Sequence, residues 1–202
     1  MNKPKLLTAL LASTVVALAG AGSAQAATDY FLKVEPSSGD QPIIGESLDR
    51  EYAKTVQLDS FSFSAENTAT IGSATSGAGA GKAQFNELTV TKAVDSTTPQ
   101  FFQRLAQGRH FASLEIIARN AGATGQAAVP VRYLFQTVFV KSQEQSGDTG
   151  NDKPTEKLTF VYGALAQAAQ KQTPTGTLGT FSFGNWSIMT NTQIGGLPVG
   201  YR

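Results

Sequence analysis

Few residues in this chain could carry chemistry, and they are scattered. Gly77 to Lys82 reads GAGAGK and invites a phosphate-loop reading. A phosphate loop needs Gly, four residues, then Gly-Lys-Ser/Thr, leading into a helix. Here the first position is Ser76 and Lys82 is followed by Ala83 and a strand-like run, so the motif reads as a flexible loop entering a strand. His110 is the single histidine. A Ser-His-Asp device could only be built on it, and no G-x-S-x-G elbow accompanies it. Its place at a helix-to-strand corner gives it a capping or packing role. Asp148 to Asp152 (DTGND) is a fragment of a calcium loop without the closing glutamate, hence a solvated turn. Without cysteine there is no thiolate nucleophile, disulfide or thiolate metal site. Neither catalysis nor a cofactor is implied, which leaves a structural or binding role. Trp186 and Phe61-Ser62-Phe63 could form a sugar-stacking surface, but core or interface packing fits them better.

The ends and the charge narrow this further. Lys3 and Lys5 precede the apolar run Leu6–Gly20, and Ala24-Gln25-Ala26 follows as an A-x-A site. That pattern predicts a signal peptide over residues 1–26, cleaved after Ala26, and a secreted or periplasmic product. The apolar run is short of the ~20 residues of a membrane span, so no stable membrane insertion is expected once the leader is removed. The formal net charge is +1, and both leader lysines count toward it. A near-neutral remainder has no electrostatic footprint for nucleic acid. Residues 27–202 are enough for a single domain with its own core.

The elements follow from periodicity. One helix is expected between Thr98 and Gly108, with Thr98 as cap, Pro99 at the first helical position and Gly108 as stop. Phe101, Phe102, Leu105 and Ala106 recur at helical spacing as its docking stripe. At about ten residues such a helix is marginal alone, so it must lie on something. The rest reads as strands: 29–34, 55–64, 83–90, 110–119, 128–141, 155–162 and 180–189. Residues 35–54 form a connection long enough to be functional or docked on a partner. Residues 163–179, rich in Ala, Gln and Thr, read as a loosely ordered insert. Inward-facing residues change phase at Asp59-Ser60, between Phe85 and Leu88, and between Phe183 and Trp186. Repeated slips of this kind are what bent strands of a closed barrel produce. The expected fold is mostly β, an antiparallel β-barrel with one short flanking α-helix.

Several blocks, in order, resemble the haemolysin-coregulated protein (Hcp) family, the tube subunits of bacterial type VI secretion systems. Asp29–Val34 (DYFLKV) looks like its opening strand. Ile44-Gly45-Glu46-Ser47 with Asp49 is similar to its G-E-S-x-D loop. Asp59–Phe63 resembles its aromatic-Ser-aromatic strand. Gly77–Gly122 resembles its Gly-Lys loop, strand, helix and Gly-Arg-His return. Val138–Ser142 and Pro154-Thr155-Glu156 look like its later strand end and turn. The resemblance implies a barrel that assembles into a hexameric ring, with stacking into a tube. It also implies effector proteins carried in the lumen and a spike protein as partner. By the same resemblance the loop residues Ile44, Gly45, Glu46, Ser47 and Asp49 reach a neighbouring subunit, and Ser62 faces the lumen. The leader sets this chain apart, because tube proteins of the family leave without one. A secreted β-domain binding a glycan or surface polymer, without tube formation, is the alternative.

Overall fold

The computed structural model describes residues 28–68, 81–120, 128–150, 152–172 and 178–194. The signal-peptide reading of 1–26, Gly77 and Gly79 of the Gly-Lys loop, and residues 173–177 of the expected insert lie outside them. The elements run β1 (Thr28–Pro36), β2 (Val56–Leu58), β3 (Ser60–Ser62), β4 (Ala65–Asn67), β5 (Ala83–Phe85) and β6 (Leu88–Ala93). Then come α1 (Thr98–Gln107), β7 (Phe111–Asn120), β8 (Ala128–Ser146), β9 (Thr155–Gln172) and β10 (Leu178–Ser187).

One antiparallel sheet has the order β2-β1-β7-β8-β9-β6-β3, with β10 added on β9; β4 and β5 pair separately. Its two end strands are consecutive pieces of one chain. β2 pairs with β1 (Leu32↔Val56) and β3 with β6 (Phe61↔Val90). Between them Asp59 alone changes partner, its N–H donating to Thr91 O at 2.8 Å. The bend expected at Asp59-Ser60 therefore carries the chain from one end of the sheet to the other and brings the sheet round into a nearly closed barrel.

A second bend crosses three strands at one level. Buried core positions fall two apart along most strands, as the pleat requires. On β7, however, they run from Phe111 to Leu114, and on β8 from Phe135 to Val138. On β9 the inward sequence runs from Tyr162 to Leu165. The strands stay in register through this level (Ser113↔Gln136↔Ala164). All three therefore turn together. Thr137, at the middle, has φ 52°, a conformation that β-branched residues avoid.

Residues 163–172, expected to be a loose insert, are the second half of β9. Alanine and glutamine are poor strand formers, but here they are paired on both edges, with β8 and with β10. Ala164, Leu165, Ala166 and Ala168 are buried. Tertiary pairing overrides propensity. The strand of 155–162 continues past Gly163, with its inward phase shifted from Tyr162 to Leu165.

α1 covers one flank of the barrel. It ends as expected at Gly108 (φ 63°), whose N–H and that of Arg109 return to Leu105 O and Arg104 O at 3.2 Å each. Its start differs. Thr97 is the N-cap residue, and Thr98 is already helical. Phe101 is fully buried, its ring edge-on to Phe111 and Phe160 at centroid distances of 5.9 and 6.1 Å. Leu105 packs partly on the same core. Phe102 does not, being 57% exposed. It stands about 100° round the helix from Phe101, and the third docking position is taken by Arg104, whose guanidinium lies 5.6 Å from the Phe111 ring centroid.

Candidate functional site

The long connection after β1 is built onto its own barrel at three points. Near its start, the Asp40 carboxylate is buried between Arg104 and Arg109, and Arg104 Nη2 also donates to Gln41 O at 3.0 Å. In the middle, Gly45 N–H donates to Lys54 O (2.8 Å), Ser47 N–H to Thr55 O (3.1 Å) and Lys54 N–H back to Ser47 O (3.0 Å). A side chain at Gly45 would place its Cβ 2.1 Å from Thr55 O, so only glycine fits this approach. At its far end, Asp49 Oδ1 accepts from the N–H groups of Glu51 and Tyr52, both at 2.9 Å. Its other oxygen is held by Arg119.

Arg119 is the hub of that last anchor. It pairs with Asp49 and, at 2.9 Å, with Asp29. It also lies 5.0 Å from the Phe31 ring centroid and 6.0 Å from that of Tyr52. The Tyr52 N–H, together with Arg119, holds the Asp49 carboxyl below its ordinary range. Glu46 is likewise lowered, by the Ser96 N–H that donates to it at 3.0 Å. The loop is thus tied to β1, β7 and the segment before α1.

Of the residues expected to reach a neighbour, Gly45, Glu46, Ser47 and Asp49 are engaged within the subunit. Ile44 remains 48% exposed, and Leu48, which was not among them, is 99% exposed. The signal for Leu48 was present: an apolar residue in the polar run Gly45–Glu51, between two residues that fix the backbone.

Ser62 is exposed on β3, with Phe61 and Phe63 on either side packing inward. Their rings meet Tyr133 at 5.4 and 5.0 Å. Trp186 is half-buried on β10, opposite Leu165. The phenylalanines therefore serve the core and do not make an open stacking face. His110 is exposed, its ring 5.3 Å from that of Phe139, and its carbonyl accepts from Ser37 Oγ. Lys82 precedes β5 directly. Asp148 accepts the Gly150 N–H at 3.2 Å, a local turn.

A buried polar cluster was missed. Lys92 Nζ meets Glu156 Oε2 at 2.8 Å and Asp95 Oδ1 at 2.7 Å, with Lys92 and Glu156 both fully out of water. Thr98, expected as a helix cap, donates instead to Glu156 at 2.7 Å. Burial pushes the Asp95 carboxyl up, but Lys92 and Thr97 outweigh it and hold it low. Sequence did carry this signal. Lys92 continues the inward phase of Leu88 and Val90, and Glu156 precedes Leu158 and Phe160 in phase. The two are cross-strand neighbours in register.

A nearly closed barrel with one flanking helix is also the fold that the relatives share. Residues 31–168 match the family described as "Type VI secretion system effector, Hcp". The chain belongs to the Hcp family of type VI secretion. Protein hcp1 of Pseudomonas aeruginosa is 30% identical over 117 residues, covering 55% of this chain and 69% of that protein. A solved structure described as a type six secretion system protein is 29% identical. It covers 83% of this chain and 100% of its own, with TM-score 0.74. The secreted protein Hcp3 of Pseudomonas aeruginosa shares the fold, at TM-score 0.56 and 14% identity over 80% of this chain and 98% of its own. This Hcp protein is a structural subunit of the tube-forming kind.

Proposed function

We propose that this Hcp chain assembles into a hexameric ring that stacks as a tube, with Ile44 and Leu48 as the side chains its loop offers to a neighbouring copy. The observation that carries the reading is Leu48, wholly exposed on a backbone pinned on both sides. An apolar side chain held rigidly in water gains about 1.5–3 kcal/mol on burial, and little entropy is lost in ordering the loop. Ser62, on the outward side of β3, is the residue assigned to the lumen. Effector proteins in that lumen and a spike protein at the tube end are the partners that family membership supports. Residues 1–26 are proposed as a cleavable export leader, which N-terminal sequencing of exported protein would test by a start at Ala27.

Assembly is tested by light scattering and negative-stain imaging of the chain with and without residues 1–26. Rings of uniform diameter are expected at high concentration. Leu48→Asp should leave the melting temperature unchanged and shift the population to monomer. A strictly monomeric wild-type protein, or rings unaffected by Leu48→Asp together with Ile44→Asp, contradicts this role of the loop.

A further inference from the structure

Past β10 the chain makes a turn that the tube reading does not use. Ser187 and Thr192 exchange backbone hydrogen bonds at 2.8 and 3.3 Å, and Asn191 sits at φ 53° between them. This turn lies against β9 where that strand changes neighbours. β6 pairs with β9 as far as Phe160 and β10 begins at Ala164. In the gap, Gly163 O accepts the N–H groups of Ile188 (2.8 Å) and Met189 (3.3 Å). The Met189 side chain lies over Gly163. A Cβ added there would be 3.0 Å from Met189 Sδ and 3.2 Å from Cε and from Cγ. Beside the contact is a cavity of about 390 Å³ lined by Ala112, Gln136, Thr137, Ala164, Met189 and Ile194. Met189 is nonetheless 68% exposed. Its thioether is at once the atom group that seats the turn and one that water-borne reagents can reach.

We propose that Met189 is an oxidation site, and that oxidation of its sulfur by a peroxide unlatches the turn from Gly163. In the reaction a sulfur lone pair attacks one peroxide oxygen and the O–O bond breaks. An S–O bond forms, and the departing hydroxide takes the proton from the oxygen now on sulfur, leaving the sulfoxide and one water. Sulfur loses two electrons and the peroxide gains them. The sulfoxide is polar and reversibly formed. It replaces an apolar, deformable contact with one that favours water over the glycine surface. Among the described residues, the backbone hydrogen bonds from Ile188 and Met189 that seat the turn on β9 both go to one carbonyl, that of Gly163; its other bonds, Ser187–Thr192 and Thr190 N–H to Ser187 Oγ, are internal to it. Local opening of such a segment requires far less free energy than unfolding the barrel.

The test treats the full chain with hydrogen peroxide and maps the added oxygen by peptide mass, distinguishing Met189 from Met1. Amide hydrogen exchange is then read at Ile188 and Met189. Oxidation should raise exchange there by about tenfold or more, leave the β7–β8 ladder unchanged, and reverse on treatment with a methionine sulfoxide reductase. Met189→Leu should keep the protected state and ignore peroxide. Gly163→Ala, which displaces the side chain without chemistry, should exchange fast before any peroxide is added. Formation of the sulfoxide at Met189 without loss of protection overturns the proposal, as does resistance of Met189 under conditions that oxidise Met1.

Discussion

Lys92–Glu156 and Arg119–Asp49 each set a cation against a carboxylate, and each helps hold the flank where the helix and the long loop meet the barrel. Their surroundings are opposite. The first pair lies fully out of water between β6 and β9. Every charge there has further partners: Lys92 Nζ also donates to Ala93 O (3.0 Å), and Glu156 also accepts from Gln143 Nε2. The second pair sits at the rim, partly open to water. Removing two ions from water costs several kcal/mol each, and that cost is offset only while the network is complete. A rim pair costs little to form and contributes little, typically under about 1 kcal/mol. The buried cluster therefore decides whether the helix end docks at all. The rim cluster holds the backbone on the C-terminal side of Leu48.

The largest effect should come from breaking the buried member. Lys92→Met leaves Glu156 without a cation in the interior. We expect a loss of about 3–5 kcal/mol, read as a lower denaturant midpoint with an unchanged slope. Replacing both, as Lys92→Met with Glu156→Leu, should recover most of it. A single-substitution cost below about 1 kcal/mol would mean that water or a proton reaches Glu156, and the contrast with the rim would collapse.

The helix permits a sharper comparison between adjacent residues of one type. Phe101→Ala empties a site enclosed by Phe111 and Phe160 and should cost about 3–5 kcal/mol. Phe102→Asp places a charge where the side chain already meets water, and should change stability by no more than about 0.5 kcal/mol. Thermal melts of the two variants separate these outcomes. A large loss in Phe102→Asp would show that this ring is covered in the assembled protein, and the same melt repeated at concentrations too low for rings would locate the cover.

These contrasts mark where sequence was legible. The barrel was readable because closure needs bends, and bends leave phase slips such as Leu58 to Phe61. The helix stop was readable because glycine enters the left-handed conformation that ends a helix, as Gly108 does, without the steric cost of a Cβ. The docking stripe was read too wide, since periodicity cannot tell Phe102 from Arg104 when an arginine lays its stem along the core and hands its charge to Asp40. The second half of β9 was lost because Ala and Gln carry no strand signature; its order comes from neighbours on both edges. Lys92 and Glu156 are in phase with the core, but their charge masks the signal because charged residues are rarely buried. The loop residues were assigned by resemblance to a neighbouring subunit, yet Glu46, Ser47 and Asp49 are occupied at home.

The smallest effect is at the rim, and pH exposes it. The Asp49 carboxyl is held below its ordinary value of 3.8, first by the Tyr52 N–H and then by Arg119. A lowered folded-state value means that the carboxylate's contribution is complete above 3.8 and is lost as the pH falls through the lowered value. On acidification the loop should therefore loosen only after ordinary aspartates have begun to protonate. The methyl resonances of Leu48, followed down a pH titration, should shift with a midpoint below 3.8 while the core methyls of Leu158 stay put. Asp49→Asn should abolish that inflection and cost the monomer less than about 1 kcal/mol, yet weaken ring formation, because Leu48 loses its fixed direction. An inflection that survives Asp49→Asn would assign the acid response to another carboxylate, with Glu46 the next to substitute, since its hydrogen bond from Ser96 lowers it in the same sense. Rings of undiminished stability in Asp49→Asn would place the rim clamp outside assembly and leave the middle anchor at Gly45 to orient Leu48 alone.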